Sequence, residues 1–265
     1  CWAPTTAQVI DAVPHCRVIA RTGIGLDNID VAHATKRGII VTNVPDYCYI
    51  EVAEHTLALL MSLARKLHLY RDATRAGRYD LLEFLPFERM AGQTVGIVGL
   101  GRIGKHLAPM AQGVGFRVIG NNRSKKTPPG VEWRSIEDLL TESDYVVLVC
   151  PLTEETRHLM NAKSLARMKP SAYVINTSRG GLVDHSALAA AISKGQLAGA
   201  ALDVQDPEPP DMSQPPYNDP RVLITPHAAF SSSQAVAELR TRVAHQVAAV
   251  FRGEVPENVV NPEVL

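Results

Sequence analysis

The sequence lacks the features that mark several protein classes. Its 265 residues contain four cysteines, Cys1, Cys16, Cys48 and Cys150. They lie far apart, with no CxxC and no histidine at metal-ligand spacing, so neither a disulfide scaffold nor a structural zinc site has support. Net charge is missing too, because 27 Lys plus Arg balance 27 Asp plus Glu. A chain without a basic surplus has no cationic face to replace phosphate counterions, which argues against nucleic acid as a partner. No apolar run nears the ~20 residues that cross a bilayer, and no signal-peptide pattern opens the chain, so no membrane role is expected. With 46% hydrophobic and 20% charged residues, disorder is not expected either. The expectation is a soluble cytoplasmic protein of a size common among enzymes. Its opening on Cys1-Trp2, without methionine, reads as a chain that begins partway through a fold.

What is present is an alternation of compact apolar runs with helical patterns. The runs are Val18–Ala20, Ile39–Val41, Thr94–Gly99, Phe116–Ile119, Tyr145–Val149, Ala172–Asn176, Ala198–Asp203 and Val222–Thr225. The later ones are continuous rather than alternating, as strands buried on both faces of a parallel sheet read. Helical spacing occupies Ile103–Gln112, Ser135–Leu140, Ala162–Met168, Ser186–Ser193 and Gln234–Phe251, with one long helix over Glu51–Gly77. The fold class is therefore α/β, with a doubly wound parallel sheet.

Between the run at Thr94 and the helix at Ile103 stands Gly99-x-Gly101-x-x-Gly104. Gly99 permits the tight turn, Gly101 lets backbone approach a pyrophosphate, and Gly104 lets helix and strand pack closely. The amides of Arg102 and Ile103 would face the anion from the helix N-terminus. Strand before and helix after supply the context that a dinucleotide site requires.

The second strand of such a site normally runs into an acidic residue that accepts from the adenosine ribose. Here it runs into Asn122-Arg123-Ser124-Lys125-Lys126, with no carboxylate. A guanidinium, a hydroxyl and two ammonium groups suit a 2′-phosphate, so NADP(H) is favoured over NAD(H). A solvated basic loop is the plainer alternative.

Ligands of open α/β sheets bind beyond the carboxyl ends of the strands. There the late strands carry Asn176-Thr177-Ser178-Arg179, Asp203 with Glu208 in the loop that follows, and Thr225-Pro-His227. Each alone has a bland explanation: a surface arginine, a solvated carboxylate, a satisfied histidine. Together they form a chemical set. Arginine binds a carboxylate and polarises a carbonyl, histidine exchanges a proton near neutral pH, and a neighbouring carboxylate favours the imidazolium. A metal hydrolase built on Asp203, Asp206, Glu208 and His227 is disfavoured by the intervening prolines and the lack of i, i+4 ligand spacing.

Several stretches carry a family resemblance: Arg21-Thr-Gly-Ile-Gly-Leu-Asp-Asn-Ile-Asp30, Val41-Thr-Asn-Val-Pro45, Glu51-Val-Ala-Glu-His-Thr-Leu-Ala-Leu59 and the Gly99 turn. Pro151-Leu-Thr, Asn176-Thr-Ser-Arg-Gly-Gly-Leu-Val-Asp184, Ala201-Leu-Asp-Val204 and Thr225-Pro-His227 extend it. The chain resembles the D-isomer-specific 2-hydroxyacid dehydrogenases, which include 3-phosphoglycerate dehydrogenase, glyoxylate/hydroxypyruvate reductase and the C-terminal-binding corepressors. Pro45-Asp-Tyr-Cys48 and His227-Ala-Ala-Phe230 look most like the corepressor-related branch.

The resemblance implies hydride transfer between a nicotinamide cofactor and C2 of a 2-oxo or D-2-hydroxy acid. It implies that Arg179 binds and polarises substrate, that His227 is the acid/base and that Glu208 pairs with it. Arg21 and the Gly23-Ile24-Gly25 amides would meet the substrate carboxylate, while Pro151, Thr177 and Asp203 would meet the cofactor. It implies a Rossmann domain over 44–231 inserted in a smaller substrate domain formed by 1–43 and 232–265 and lacking its usual N-terminal part. Hinges would lie near Val44–Tyr47 and Phe230–Ser233, and the Glu51–Gly77 helix would make a homodimer. The alternative is a cofactor-sensing binding protein like the corepressors, with little catalysis.

Overall fold

The computed structural model describes residues 3–265, so Cys1 and Trp2 lie outside the described residues. The chain begins with α1 (Ala7–Asp11), β1 (Val18–Ala20), α2 (Val31–Lys36) and β2 (Ile40–Thr42). Thr6 and Asp30 cap the two helices by accepting from the amides of Val9 and His33. β1 and β2 pair in parallel, Val18 opposite Ile40 and Ala20 opposite Thr42. Ile10, Ala34, Ile39 and Val41 form the core beneath them.

Next come α3 (Tyr49–Ala64) and α4 (Leu67–Arg75). The sequence pattern suggests one helix over Glu51–Gly77, but the structure breaks it at Lys66. That residue adopts a left-handed conformation, φ 53°, and its amide donates to Leu63 three residues back. The i→i−4 ladder ends there. Apolar periodicity carries no signal of this break: it runs on through Leu67 and Tyr70, whereas α4 buries His68 and Ala73 and leaves Leu67 exposed.

The sheet follows: β3 (Thr94–Val98), α5 (Arg102–Gly113), β4 (Arg117–Asn121), β5 (Glu132–Trp133), α6 (Ile136–Glu142), β6 (Tyr145–Leu148), α7 (Ala162–Leu165), β7 (Tyr173–Asn176), α8 (His185–Ser193), β8 (Gly199–Leu202) and β9 (Val222–Ile224). A last helix, α9 (Ser233–Arg252), starts at a Ser232 cap and stops at left-handed Gly253. β5 has two residues, too few to show a period in sequence.

All seven strands of the large sheet are parallel, in the order β5-β4-β3-β6-β7-β8-β9. Strand residues divide alternately between two cores. Val146, Leu148, Val174 and Leu202 face one, while Tyr145, Val147, Ile175 and Ala201 face the other. Burial on both faces is why these strands read as continuous apolar runs. Truncating a fully buried member such as Ile175 to Ala costs about 2–5 kcal/mol.

The chain divides into two compact units, Tyr49–Phe230 and the pair Cys1–Cys48 with Ser231–Leu265. Residues 43–46 are anchored in the smaller unit. Asn43 Nδ2 donates to the Ile24 carbonyl at 2.8 Å, the Val44 amide to Gly23 at 3.1 Å, and Arg242 to Asp46 at 2.8 Å. The crossing therefore lies at 48/49, later than the 43/44 read from sequence. Among the described residues no helix is long and apolar enough to cross a membrane.

Candidate active site

In the large sheet, strand order reverses between β3 and β6. Ligands bind at such a switch point in open α/β sheets. Gly99 ends β3 with φ 106°. A Cβ there would stand 2.7 Å from the Cys150 amide nitrogen in the loop after β6, so only glycine lets the two loops meet. A Cβ on Gly104 would stand 2.0 Å from the Gly99 carbonyl oxygen, which fixes how closely α5 approaches the strand. Gly101 differs, since a Cβ there would meet nothing within 4 Å. It is the N-cap of α5, and no side chain caps the helix. The residues thus fit a dinucleotide: open space stands before a side-chain-uncapped helix start, where Arg102 and Ile103 lie in the first turn.

Beyond β4 the basic loop is internally organised. Asn122 Nδ2 donates to the Lys126 carbonyl at 2.7 Å, and Ser124 Oγ accepts from the Lys126 amide at 3.4 Å. Lys125 lies over the Trp133 ring at 4.8 Å. Asn122 Oδ1 is buried without a hydrogen-bond partner, an acceptor standing where an acidic residue is usual. No carboxylate occurs in 121–126, but the fold supplies one from afar: Glu155 pairs with Arg123 at 2.8 Å. Both side chains are more than three-quarters exposed, so the pair contributes little to stability.

The loop after β6 carries Pro151, whose carbonyl accepts from Thr156 Oγ1 at 2.8 Å. Burial pushes the Cys150 thiol up to about 11, which leaves it unreactive at neutral pH. After β7, Thr177 is buried, its hydroxyl 2.8 Å from that of Thr56 on α3. Arg179 follows in extended conformation and leads into a tight 3-10 turn, Gly180–Leu182. Its Nη1 donates to the Ser178 carbonyl at 2.7 Å.

Glu208 and His227 meet. Nδ1 of His227 lies 2.9 Å from Glu208 Oε2, while Glu208 Oε1 accepts from the Gln205 amide at 2.8 Å. Burial alone would raise the Glu208 carboxyl. The His227 and Gln205 hydrogen bonds, with the Arg179 charge nearby, outweigh it and hold the group below its ordinary 4.5. The same field brings Arg179 into the set. With Nδ1 engaged by Glu208, Nε2 is the remaining ring nitrogen of His227.

His227 has φ 53°, uncommon for a residue with a Cβ. Asp203 over-determines that turn. Its carbonyl accepts from the His227 amide at 2.7 Å, and its carboxylate accepts from Ala228 at 2.8 Å and Ala229 at 3.0 Å.

In the smaller unit, Arg21 staples its own loop, with Nε on the Gly25 carbonyl at 3.0 Å and Nη1 on Thr22 at 2.8 Å. The Gly23 amide donates to the Arg21 carbonyl at 3.0 Å. Sequence reasoning did not single out His55, Thr56, Glu155, Gln205 or Thr225. Three of these lie inside stretches quoted for the resemblance; only the fold brings Glu155 and Gln205 into place. Among the described residues no group of three or more His, Cys, Asp or Glu could hold a metal ion.

Sheet, switch point and glycine cradle together define a dinucleotide-binding protein of Rossmann type. Residues 57–229 match the family described as D-isomer specific 2-hydroxyacid dehydrogenase, NAD binding domain. A glyoxylate reductase of Korarchaeum cryptofilum is 41% identical over 272 residues, covering 99% of this chain and 81% of its own. The crystal structure of TT0316 protein from Thermus thermophilus superposes with TM-score 0.90 at 38% identity, covering 96% of this chain and 82% of that one. An acyclic imino acid reductase in complex with NADPH and D-Arg superposes with TM-score 0.86 at 28% identity, over 98% and 83%. The chain belongs to the D-isomer specific 2-hydroxyacid dehydrogenase family.

Proposed function

We propose that this protein reduces small 2-oxo acids, glyoxylate first among them, to 2-hydroxy acids, of D configuration where C2 becomes a stereocentre, and prefers NADP(H) to NAD(H). The observation that supports catalysis most directly is the 2.9 Å contact of His227 with Glu208 in the field of Arg179. The relative from Korarchaeum cryptofilum is named a glyoxylate reductase, which supports an enzyme over the cofactor-sensing alternative.

When bound, the nicotinamide cofactor supplies the hydride to C2, or accepts it in the oxidative direction. This chain's residues do the rest. Arg179 holds the substrate carboxylate and carbonyl oxygen, the planar fork matching both. Protonated His227 donates from Nε2 to the carbonyl oxygen as it becomes a hydroxyl. Glu208 accepts from Nδ1, fixes the ring's orientation and stabilises its charged form. Asp203 holds the turn from which His227 projects, and Thr177 lines the cofactor side. Within the smaller unit, Arg21 shapes the loop that carries the Ile24 and Gly25 amides.

Cofactor choice rests on Asn122, Arg123 and Ser124. Arg123 is held by a single exposed carboxylate, which a doubly charged 2′-phosphate can outcompete. Tyr79, 97% exposed, and Leu81, 78% exposed, follow α4 and support a homodimer through that region.

The test is oxidation of NADPH, then NADH, with glyoxylate, hydroxypyruvate and bulkier 2-oxo acids. Faster turnover of glyoxylate with NADPH is expected. Faster turnover with NADH would overturn the 2′-phosphate reading, and binding of cofactor without turnover on any acid would overturn the enzyme.

A further inference from the structure

His55, on α3, has no part in the chemistry above, yet it reaches the most constrained carboxylate of the site. Its Nε2 lies 3.1 Å from Thr225 Oγ1 and 3.5 Å from Asp203 Oδ1. The Thr225 hydroxyl lies 2.6 Å from that same Oδ1. The Asp203 side chain is only 1% exposed, so its charge depends on donors from protein.

Counting protons fixes the direction of these bonds. An ionised carboxylate only accepts, so the single Thr225 proton is directed to Asp203. Thr225 Oγ1 then has nothing left to give, and its contact with His55 must be donated by Nε2–H. The chain runs one way, from His55 to Thr225 to Asp203. Asp203 in turn accepts from the amides of Ala228 and Ala229, while its carbonyl takes that of His227. Three successive residues of a turn that carries a left-handed histidine are thus held by one residue, whose charge is supported from α3.

We propose that His55 is a positioning residue: by donating through Thr225 to Asp203, it holds the 227–229 turn in the conformation that presents His227 to substrate. The proposal rests on the reading of His227 as the acid/base. His55 touches neither substrate nor His227. Its effect is on the geometry of proton donation, and therefore on turnover more than on cofactor affinity.

The experiment uses the full protein with glyoxylate and NADPH. His55→Phe removes the donor and keeps a ring of similar size. Loss of one hydrogen bond in a charged network predicts a kcat about 10-fold lower, with cofactor Kd within about twofold. His55→Gln places an amide nitrogen near the old Nε2 and is expected to restore kcat to within about threefold. A merely structural role would not distinguish Gln from Phe in this way. Thr225→Val breaks the chain at its middle, so its loss and that of His55→Phe are expected to be non-additive in the double variant.

Wild-type turnover in His55→Phe, a Gln variant no better than Phe, or additive losses with Thr225→Val would each overturn the proposal. His227→Asn separates the two levels. If it is crippled while His55→Phe is not, the positioning role alone fails; if it turns over normally, the acid/base reading fails.

Discussion

Glu208 Oε2 stands 2.9 Å from Nδ1 of His227, and the two residues come from different loops at the carboxyl edge of one sheet. Nothing in local sequence requires them to meet. β8 and β9 are adjacent and parallel, so the loops that leave them emerge side by side. Glu208→Gln keeps a hydrogen-bond acceptor and removes the charge. Turnover in the reductive direction is expected to fall on the order of 10-fold or more. Turnover close to wild type would mean that the pair serves only structure.

Arg179→Lys retains charge and gives up the planar fork. kcat/KM for 2-oxo acids is expected to fall on the order of 10²-fold, with cofactor Kd unchanged by fluorescence titration. Equal losses in cofactor binding and turnover would place Arg179 outside the substrate site.

The three cradle glycines are separable by what a methyl group would meet. Gly104→Ala forces a Cβ to within 2.0 Å of the Gly99 oxygen and is expected to cost about 1–3 kcal/mol of stability along with cofactor affinity. Gly101→Ala meets no protein atom within 4 Å. Its Tm is expected to stay near wild type while cofactor Kd rises. A Gly101→Ala variant that binds cofactor normally would show that backbone does not approach the ligand at that point.

This contrast also shows what was legible in sequence. The spacing of Gly99, Gly101 and Gly104 located the cradle because a turn, a close packing and an open approach each need glycine, and those needs are local. The continuous runs of β6 and β7 were legible for the same reason, since both of their faces are buried. The break at Lys66 was not, because a left-handed residue with a side chain leaves no compositional mark. Nor was the partner of Arg123: Glu155 lies 32 positions away, and only the adjacency of the loops after β4 and β6 joins them.

Arg123 provides a test of cofactor choice. Glu155→Gln releases the guanidinium, and since an exposed pair contributes up to about 1 kcal/mol, the KM for NADPH is expected to fall by up to about fivefold. Arg123→Ala is expected to shift preference toward NADH. Indifference of the NADPH/NADH ratio to both changes would rule out a 2′-phosphate contact here.

Burial lowers His68 and His185 from their ordinary 6.5. His185 Nε2 faces the Gly180 carbonyl, an acceptor, so Nδ1 must take the proton of Tyr217 at 2.5 Å. Both rings are thus neutral in the folded protein at pH 7. The unfolded chain binds their protons below pH 6.5 while the native state resists, so their stability contribution is complete above 6.5 and lost as pH falls. Tm is expected to decline from pH 7.5 to 5.5, less steeply in His68→Leu. A flat profile in wild type would contradict the burial of these rings.

The most direct test of the site is His227→Asn, assayed with glyoxylate and NADPH. Asparagine tolerates the left-handed conformation at φ 53°, so the turn survives and only the proton donor is lost. Turnover is expected to fall by about 10²–10⁴-fold with cofactor affinity preserved. Turnover close to wild type would contradict His227 as the acid/base and, with it, the chemistry assigned to the Glu208 pair.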